Sequence, residues 1–224
     1  MTPVMDLRKP PAYLYIIKKY CITKKNKGMK KLLMLLAATI VVLPLLAQKW
    51  AKNYDFVNEC ICGLSLVGKN KMYGYVDKEG KVVVPLEFQE GLTFNGGYSA
   101  VRKGDHWAFL DSTGRFVTDF KYSDALGFSQ GYAPARKETG WGYVDTLGHE
   151  AIPFIYSNAR KFSEGLAAVC TKGKELWGFI NRKGEVVIEL NLDFADSFTE
   201  EGEARVVKKG KMMWIDKYNQ KVRE

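Results

Sequence analysis

Histidine is nearly missing from this 224-residue chain: His106 and His149 are the only two, each beside a turn. Both read as exposed, structural residues, and no Ser-His-Asp arrangement is credible. The Cys60-x-Cys62 pair likewise lacks the further ligands of a zinc site. There is no Gly-rich phosphate loop: Asn95-Gly96-Gly97 opens a strand, and its last glycine recurs in phase elsewhere without those neighbours. Cysteine is scarce as well. After residue 47 only Cys60, Cys62 and Cys170 remain, an odd number that cannot pair fully within one chain. Cys60 and Cys62 are too close along an extended strand to bridge comfortably, while a bridge from either to Cys170 is open. The favoured expectation is three buried, small apolar side chains.

Acid is absent from the start of the chain. Nine of the 34 basic residues precede Gln48, but only Asp6 of the 25 acidic ones. The rest of the chain holds 25 basic against 24 acidic residues, a net of +1. The formal charge of +9 therefore belongs to the leader, and a nucleic-acid partner is not expected. The leader has its own pattern. Lys30 and Lys31 precede the apolar run Leu32 to Leu46, and Ala47-Gln48 follows. At 15 residues the run is short of the ~20 that span a bilayer. Residues 29–47 are expected to be a cleaved signal peptide, with a membrane anchor through residues 32–46 as the alternative. Residues 1–28 are read as an upstream mis-start before Met29, or as a long charged region ahead of the apolar run. Export to the periplasm or the extracellular space follows as an expectation.

What the chain has in abundance is one motif. Tyr73-Gly74-Tyr75-Val76-Asp77 recurs as Trp107-Ala108-Phe109-Leu110-Asp111, Trp141-Gly142-Tyr143-Val144-Asp145 and Trp177-Gly178-Phe179-Ile180-Asn181, then decays to Met212-Met213-Trp214-Ile215-Asp216. The spacings are 34, 34, 36 and 35 residues. Three positions after each Asp or Asn stands Gly80, Gly114, Gly148, Gly184 or Asn219, the residue types that accept positive φ in a hairpin turn. A second apolar strand follows, such as Glu185-Val186-Val187-Ile188. A strand opened by glycine precedes, such as Gly165-Leu166-Ala167-Ala168-Val169. The prediction is all-β: five tandem units of about 35 residues, each a three-stranded antiparallel meander, spanning residues 63–224 after a lead-in at 48–62. Each unit is complete in itself, which favours an open curved array over a closed five-bladed, propeller-like ring. The connectors, such as Tyr156 to Glu164, have room for a short extra strand or a helical turn.

Trp141-Gly142-Tyr143-Val144-Asp145-x-x-Gly148, Ile152-Pro153 and Phe162-Ser163-Glu164-Gly165-Leu166-Ala167 resemble the WG (KWG) β-repeat family of bacterial proteins, from about Gly63 to Glu224. Tyr73 replaces Trp in the first copy, Ala108 replaces Gly in the second, and Met212-Met213 replaces Trp-Gly in the last. The resemblance implies a β-repeat domain and no agreed activity.

The chemistry is correspondingly sparse. Asp77, Asp111, Asp145 and Asp216 could form a Ca²⁺ ladder, but Asp at a hairpin entry has a simpler task, accepting hydrogen bonds from the turn backbone. No metal, cofactor or catalytic residue is expected. The aromatic ladder Tyr73, Trp107, Trp141 and Trp177 would stack on sugar or grip peptide if exposed, and is core if buried. The expectation is an exported, non-catalytic binding scaffold for protein or cell-envelope glycan, touching membrane only through an uncleaved N-terminal segment. The alternative is a hydrolase-like enzyme with Glu87, Glu90, Glu164, Asp193, Glu200 and Glu201 converging from the connectors.

Overall fold

The computed structural model describes residues 49–224; the leader expectations for 1–47 lie outside the described residues. After a short 3-10 helix at Lys49–Asn53, five antiparallel sheets follow in chain order. The first holds β1 (Phe56–Val57), β2 (Leu64–Lys69), β3 (Met72–Asp77) and β4 (Val82–Phe88). The second has β5 (Glu90–Gly91), β6 (Tyr98–Lys103) and β7 (His106–Asp111). The third has β8 (Asp124–Ala125), β9 (Tyr132–Lys137), β10 (Gly140–Asp145) and β11 (Glu150–Tyr156). The fourth has β12 (Asn158–Ala159), β13 (Leu166–Cys170), β14 (Trp177–Asn181) and β15 (Val186–Leu192). The fifth has β16 (Phe194–Ala195), β17 (Glu203–Lys208), β18 (Lys211–Asp216) and β19 (Lys221–Arg223). The three-stranded meander is thus the body of a sheet, and a two-residue strand from the connector pairs along the edge of its first long strand, called the inner edge, the last strand being the outer one. In the first sheet that strand comes from the lead-in.

Each hairpin is built the same way. Asp145 Oδ1 accepts the amides of Leu147 and His149, both at 2.9 Å, and Gly148 takes φ +85°. Asp77, Asp111, Asn181 and Asp216 make the same pair of bonds at their own turns. A side-chain acceptor that holds two turn amides explains why Asn serves as well as Asp.

Alternation along the motif strand divides its side chains between two cores. Trp141 and Tyr143 face the fourth sheet, whereas Val144 faces the second. Four cores result, one at each interface between consecutive sheets. The first sets Leu66, Tyr75 and Phe88 against Phe94, Val101 and Leu110. The second sets Trp107, Phe109 and Tyr122 against Phe128, Ala135 and Phe154. The third joins Tyr143 and Ile152 to Phe162 and Val169, and the fourth joins Phe179 and Ile188 to Phe198 and Val206. No sheet has a core of its own, so stability comes from stacking neighbours. Five sheets with four interfacial cores form an open row. A ring needs a fifth core between the first and last sheets, and none forms among the described residues. At the far end, the Arg223 guanidinium lies 4.3 Å from the centre of the Trp214 ring and 2.9 Å from Glu203, placing charge on that last sheet face.

The glycine after the aromatic makes room for a backbone. A Cβ at Gly142 would lie 2.7 Å from the Ile152 carbonyl oxygen, and one at Gly178 2.6 Å from that of Ile188. Both outer strands bulge there: Trp141 pairs with Tyr156 but Tyr143 with Ile152, two residues against four. Ala108 shows the consequence of losing that room. In the second sheet the outer strand is reduced to two isolated bridges, Trp107–Tyr122 and Leu110–Phe116, and the Phe109 amide donates to Thr118 Oγ1 at 2.9 Å.

The cysteine expectation needs correction. Only Cys170 is buried; Cys60 and Cys62 are exposed, and all three are free thiols. By in-phase position, Cys60 stands where the later sheets place Phe94, Phe128, Phe162 and Phe198. Each of those phenylalanines packs on an aromatic of the preceding sheet, as Phe94 does on Tyr75 at 4.8 Å. No sheet precedes the first among the described residues, so no aromatic from a preceding sheet packs on this position there.

Candidate binding groove

The ladder singled out from sequence is not a surface. Trp107, Trp141 and Trp177 are only 6, 8 and 9% exposed, and Tyr73 is half-buried against Phe56. The connector acids are not brought together either. Glu87 pairs with Lys103 at 3.2 Å, Glu90 with Arg102, and Glu164 with Lys217 at 3.0 Å. Asp193 accepts the Gly210 amide at 2.8 Å, while Glu200 and Glu201 are exposed beside the fifth sheet. His106 is exposed. His149 lies 3.2 Å from Asp145, whose other oxygen is committed to the turn. Burial pushes the Tyr75 and Tyr143 hydroxyls and the Cys170 thiol up, the signature of core groups rather than activated ones.

A different surface is built along the inner edge, just after each two-residue strand. The amides of Asn58, Leu92, Leu126, Arg160 and Asp196 donate to the carbonyls of Leu66, Ala100, Pro134, Ala168 and Arg205, all at 2.8 to 2.9 Å. One backbone frame is therefore repeated five times. The side chains it presents are an amide, two leucines, a guanidinium and a carboxylate. The next position holds Glu59, Thr93, Gly127, Lys161 and Ser197. A constant frame with changing side chains is what a recognition surface requires. Buried hydroxyls fix the frame from below: the Tyr75 hydroxyl donates to the Leu92 carbonyl at 2.7 Å, and that of Tyr143 to the Arg160 carbonyl at 2.7 Å.

At the first two sheets this edge opens into a cavity of about 620 Å³, within the range of small-ligand and peptide sites. Phe56, Ile61, Leu66, Leu92 and Phe94 form its apolar wall; Asn58, Asn95 and Lys161 supply polar groups. Further along, Arg160 is already committed. Its Nε donates to the Ala195 carbonyl at 2.8 Å, its terminal nitrogen pairs with Asp196 at 3.2 Å, and its plane lies 5.2 Å from the centre of the Trp177 ring. Arg205 neutralises the same Asp196 at 2.6 Å. Lys161, in contrast, has no acidic partner among the described residues. Aligning the connectors in phase would have drawn attention to these positions, because Phe94, Phe128, Phe162 and Phe198 recur while the residues just before them change class.

A family model described as WG containing repeat matches residues 73–107, 107–138, 141–174 and 177–211. No curated protein matches. Among solved structures, the chain is similar to Kluyveromyces lactis Hsv2, with TM-score 0.46 and 10% identity over 75% of this chain and 63% of that one. It is also similar to the extracellular domain of a hybrid two component system from B. thetaiotaomicron, with TM-score 0.42 and 10% identity over 72% of this chain and 26% of that one. PorZ, a surface component of the type-IX secretion system of Porphyromonas gingivalis, matches with TM-score 0.41 and 10% identity over 75% and 26% of the two chains. The chain spans about 60% of the length of the Hsv2 structures it matches.

Proposed function

The chain belongs to the family of WG containing repeat proteins, and from that premise we propose that its array is a non-catalytic scaffold binding a protein partner outside the cytoplasm. The observation that carries this reading is the inner groove: one hydrogen-bonded frame presents different side chains at equivalent positions and opens into a cavity of about 620 Å³. Protein is preferred over envelope glycan because the tryptophans that would stack on sugar rings are buried. A non-catalytic role is preferred because the connector acids are dispersed over several sheets and individually engaged or exposed. Export rests on Lys30, Lys31 and the apolar run that follows them.

Photo-crosslinking from a benzoylphenylalanine at Thr93 in the groove, compared with one at the exposed Val187 on β15, tests the binding role. A discrete protein adduct from Thr93 alone is expected. Equal adducts from both positions, or none from Thr93, would remove the groove from the account. Mass spectrometry of the protein from cells tests export. A mature terminus near Gln48 is expected, and an intact Met1 terminus contradicts it.

A further inference from the structure

We propose that the cavity at the inner edge of the first two sheets receives the C-terminus of a peptide: an apolar last side chain with its free carboxylate. This names the ligand class for the same groove and rests on the scaffold reading above.

The placement of Lys161 carries the inference. Lys161 lies between β12 and β13 of the fourth sheet, yet it lines a cavity walled by the first two. It reaches there because the in-phase position of the third sheet is Gly127, which has no side chain. The Lys161 Nζ lies 3.3 Å from the point a Cβ of Gly127 would occupy, and Leu92 Cδ1 lies 3.9 Å from that same point. A cation without an acidic partner among the described residues therefore stands beside an apolar wall, its Nζ and Leu92 Cδ1 flanking the same open point at 3.3 and 3.9 Å. A ligand matching that juxtaposition needs its negative charge within a few ångströms of an apolar group. The last residue of a chain meets this need, because its carboxylate and side chain share one Cα. An acidic side chain flanked by an apolar residue spaces the two more widely.

The remaining polar groups suit a peptide backbone. Asn58 uses Oδ1 to accept the Glu59 amide at 2.8 Å, and its Nδ2 has no acceptor among the described residues. Asn95, on the same wall, is exposed. Side-chain amides of this kind read the carbonyl and N–H groups of an extended segment, while Phe56, Ile61, Leu66 and Leu92 take its final side chain. The other cations of this edge cannot substitute, since Arg160 and Arg205 share Asp196.

The test measures fluorescence anisotropy of a fluorescein-labelled hexapeptide ending in leucine, as the free acid and as the C-terminal amide, on the full array. The free acid is expected to bind, and to bind more weakly as salt rises. Amidation, and separately Lys161→Gln, are each expected to weaken binding about tenfold or more, the scale of a hydrogen bond to a charged group. Thr93→Glu, which adds a negative charge at the cavity wall, should weaken the free acid more than the amide. Thermal melts matching the parent protein establish that these variants fold. Equal binding of acid and amide, undiminished binding by Lys161→Gln, or no binding of either peptide overturns the proposal. If the Thr93 adduct forms and excess free-acid peptide fails to compete with it, the ligand class is wrong and the scaffold reading stands. If no adduct forms through the groove, the scaffold reading itself fails.

Discussion

Replacing Gly142 by alanine puts a methyl group where the backbone of β11 already lies. The new Cβ would sit 2.7 Å from the Ile152 carbonyl oxygen and 2.8 Å from the Phe154 ring, closer than side-chain carbons approach such atoms. The carbonyl cannot swing away freely, because Tyr143 and Ile152 are paired in the ladder and Ile152 is core. Overpacking of this kind costs about 1–3 kcal/mol. Restricting the unfolded chain returns roughly 0.4–1 kcal/mol. The net expectation is a loss of about 1–2 kcal/mol, a drop of about 2–8 °C in midpoint for a domain of this size. Thermal unfolding followed by circular dichroism reads the midpoint. Hydrogen exchange should place the damage in Glu150–Tyr156, as the natural Ala108 coincides with the dissolved outer strand of the second sheet. A Gly142→Ala protein with an unchanged midpoint and protected β11 amides would refute the close-approach explanation of the glycine.

Trp141→Ala should cost about 3–5 kcal/mol, because it empties the third interfacial core, and chemical denaturation would show it. In protein beginning at Gln48, and so without Cys21, Ellman's reagent should modify two thiols in the native state, Cys60 and Cys62, and reach Cys170 only after unfolding; three fast thiols would contradict the burial of Cys170. Asp111 tests the turn electrostatics. Its partial burial alone would raise the carboxyl pKa, but bonds from the Thr113 hydroxyl and the Thr113 and Arg115 amides, with the Arg115 charge, outweigh that and hold it below its usual 3.8. A depressed pKa stabilises the fold above the unfolded value and is lost as pH falls through the folded one. Asp111→Asn keeps the acceptor and removes the titration, so its midpoint should fall less steeply below about pH 4 than the parent's; identical acid limbs would refute this.

The architecture was legible because its causes are local and repeated. The Asp that holds two turn amides, the residue at positive φ three positions later, and the alternation of Trp141, Tyr143 and Val144 each leave a fixed-phase mark. The bulge opposite Gly142 was not legible, since it depends on how a neighbouring backbone settles. The exposure of Cys60 also escaped, because small apolar residues are usually buried and its bareness depends on there being no sheet before the first among the described residues. The groove was least legible. The residues proposed for recognition lie where the repeat is irregular, at Leu92, Thr93, Gly127 and Lys161, and a search for what recurs passes over what changes. The tryptophan ladder drew notice for the opposite reason: its regularity is the mark of packing.

The central claim is that motif residues hold the array together while the inner-edge residues recognise the partner. Thermal midpoint and partner capture, measured side by side on Asp145→Ala and Thr93→Glu, separate the two. Asp145→Ala removes the acceptor for two turn amides and should cost about 1–2 kcal/mol while the folded protein captures its partner normally. Thr93→Glu should leave the midpoint within about 0.5 kcal/mol of the parent and abolish capture. The reverse pattern, with capture lost on Asp145→Ala and retained on Thr93→Glu at an equal midpoint, would contradict the account.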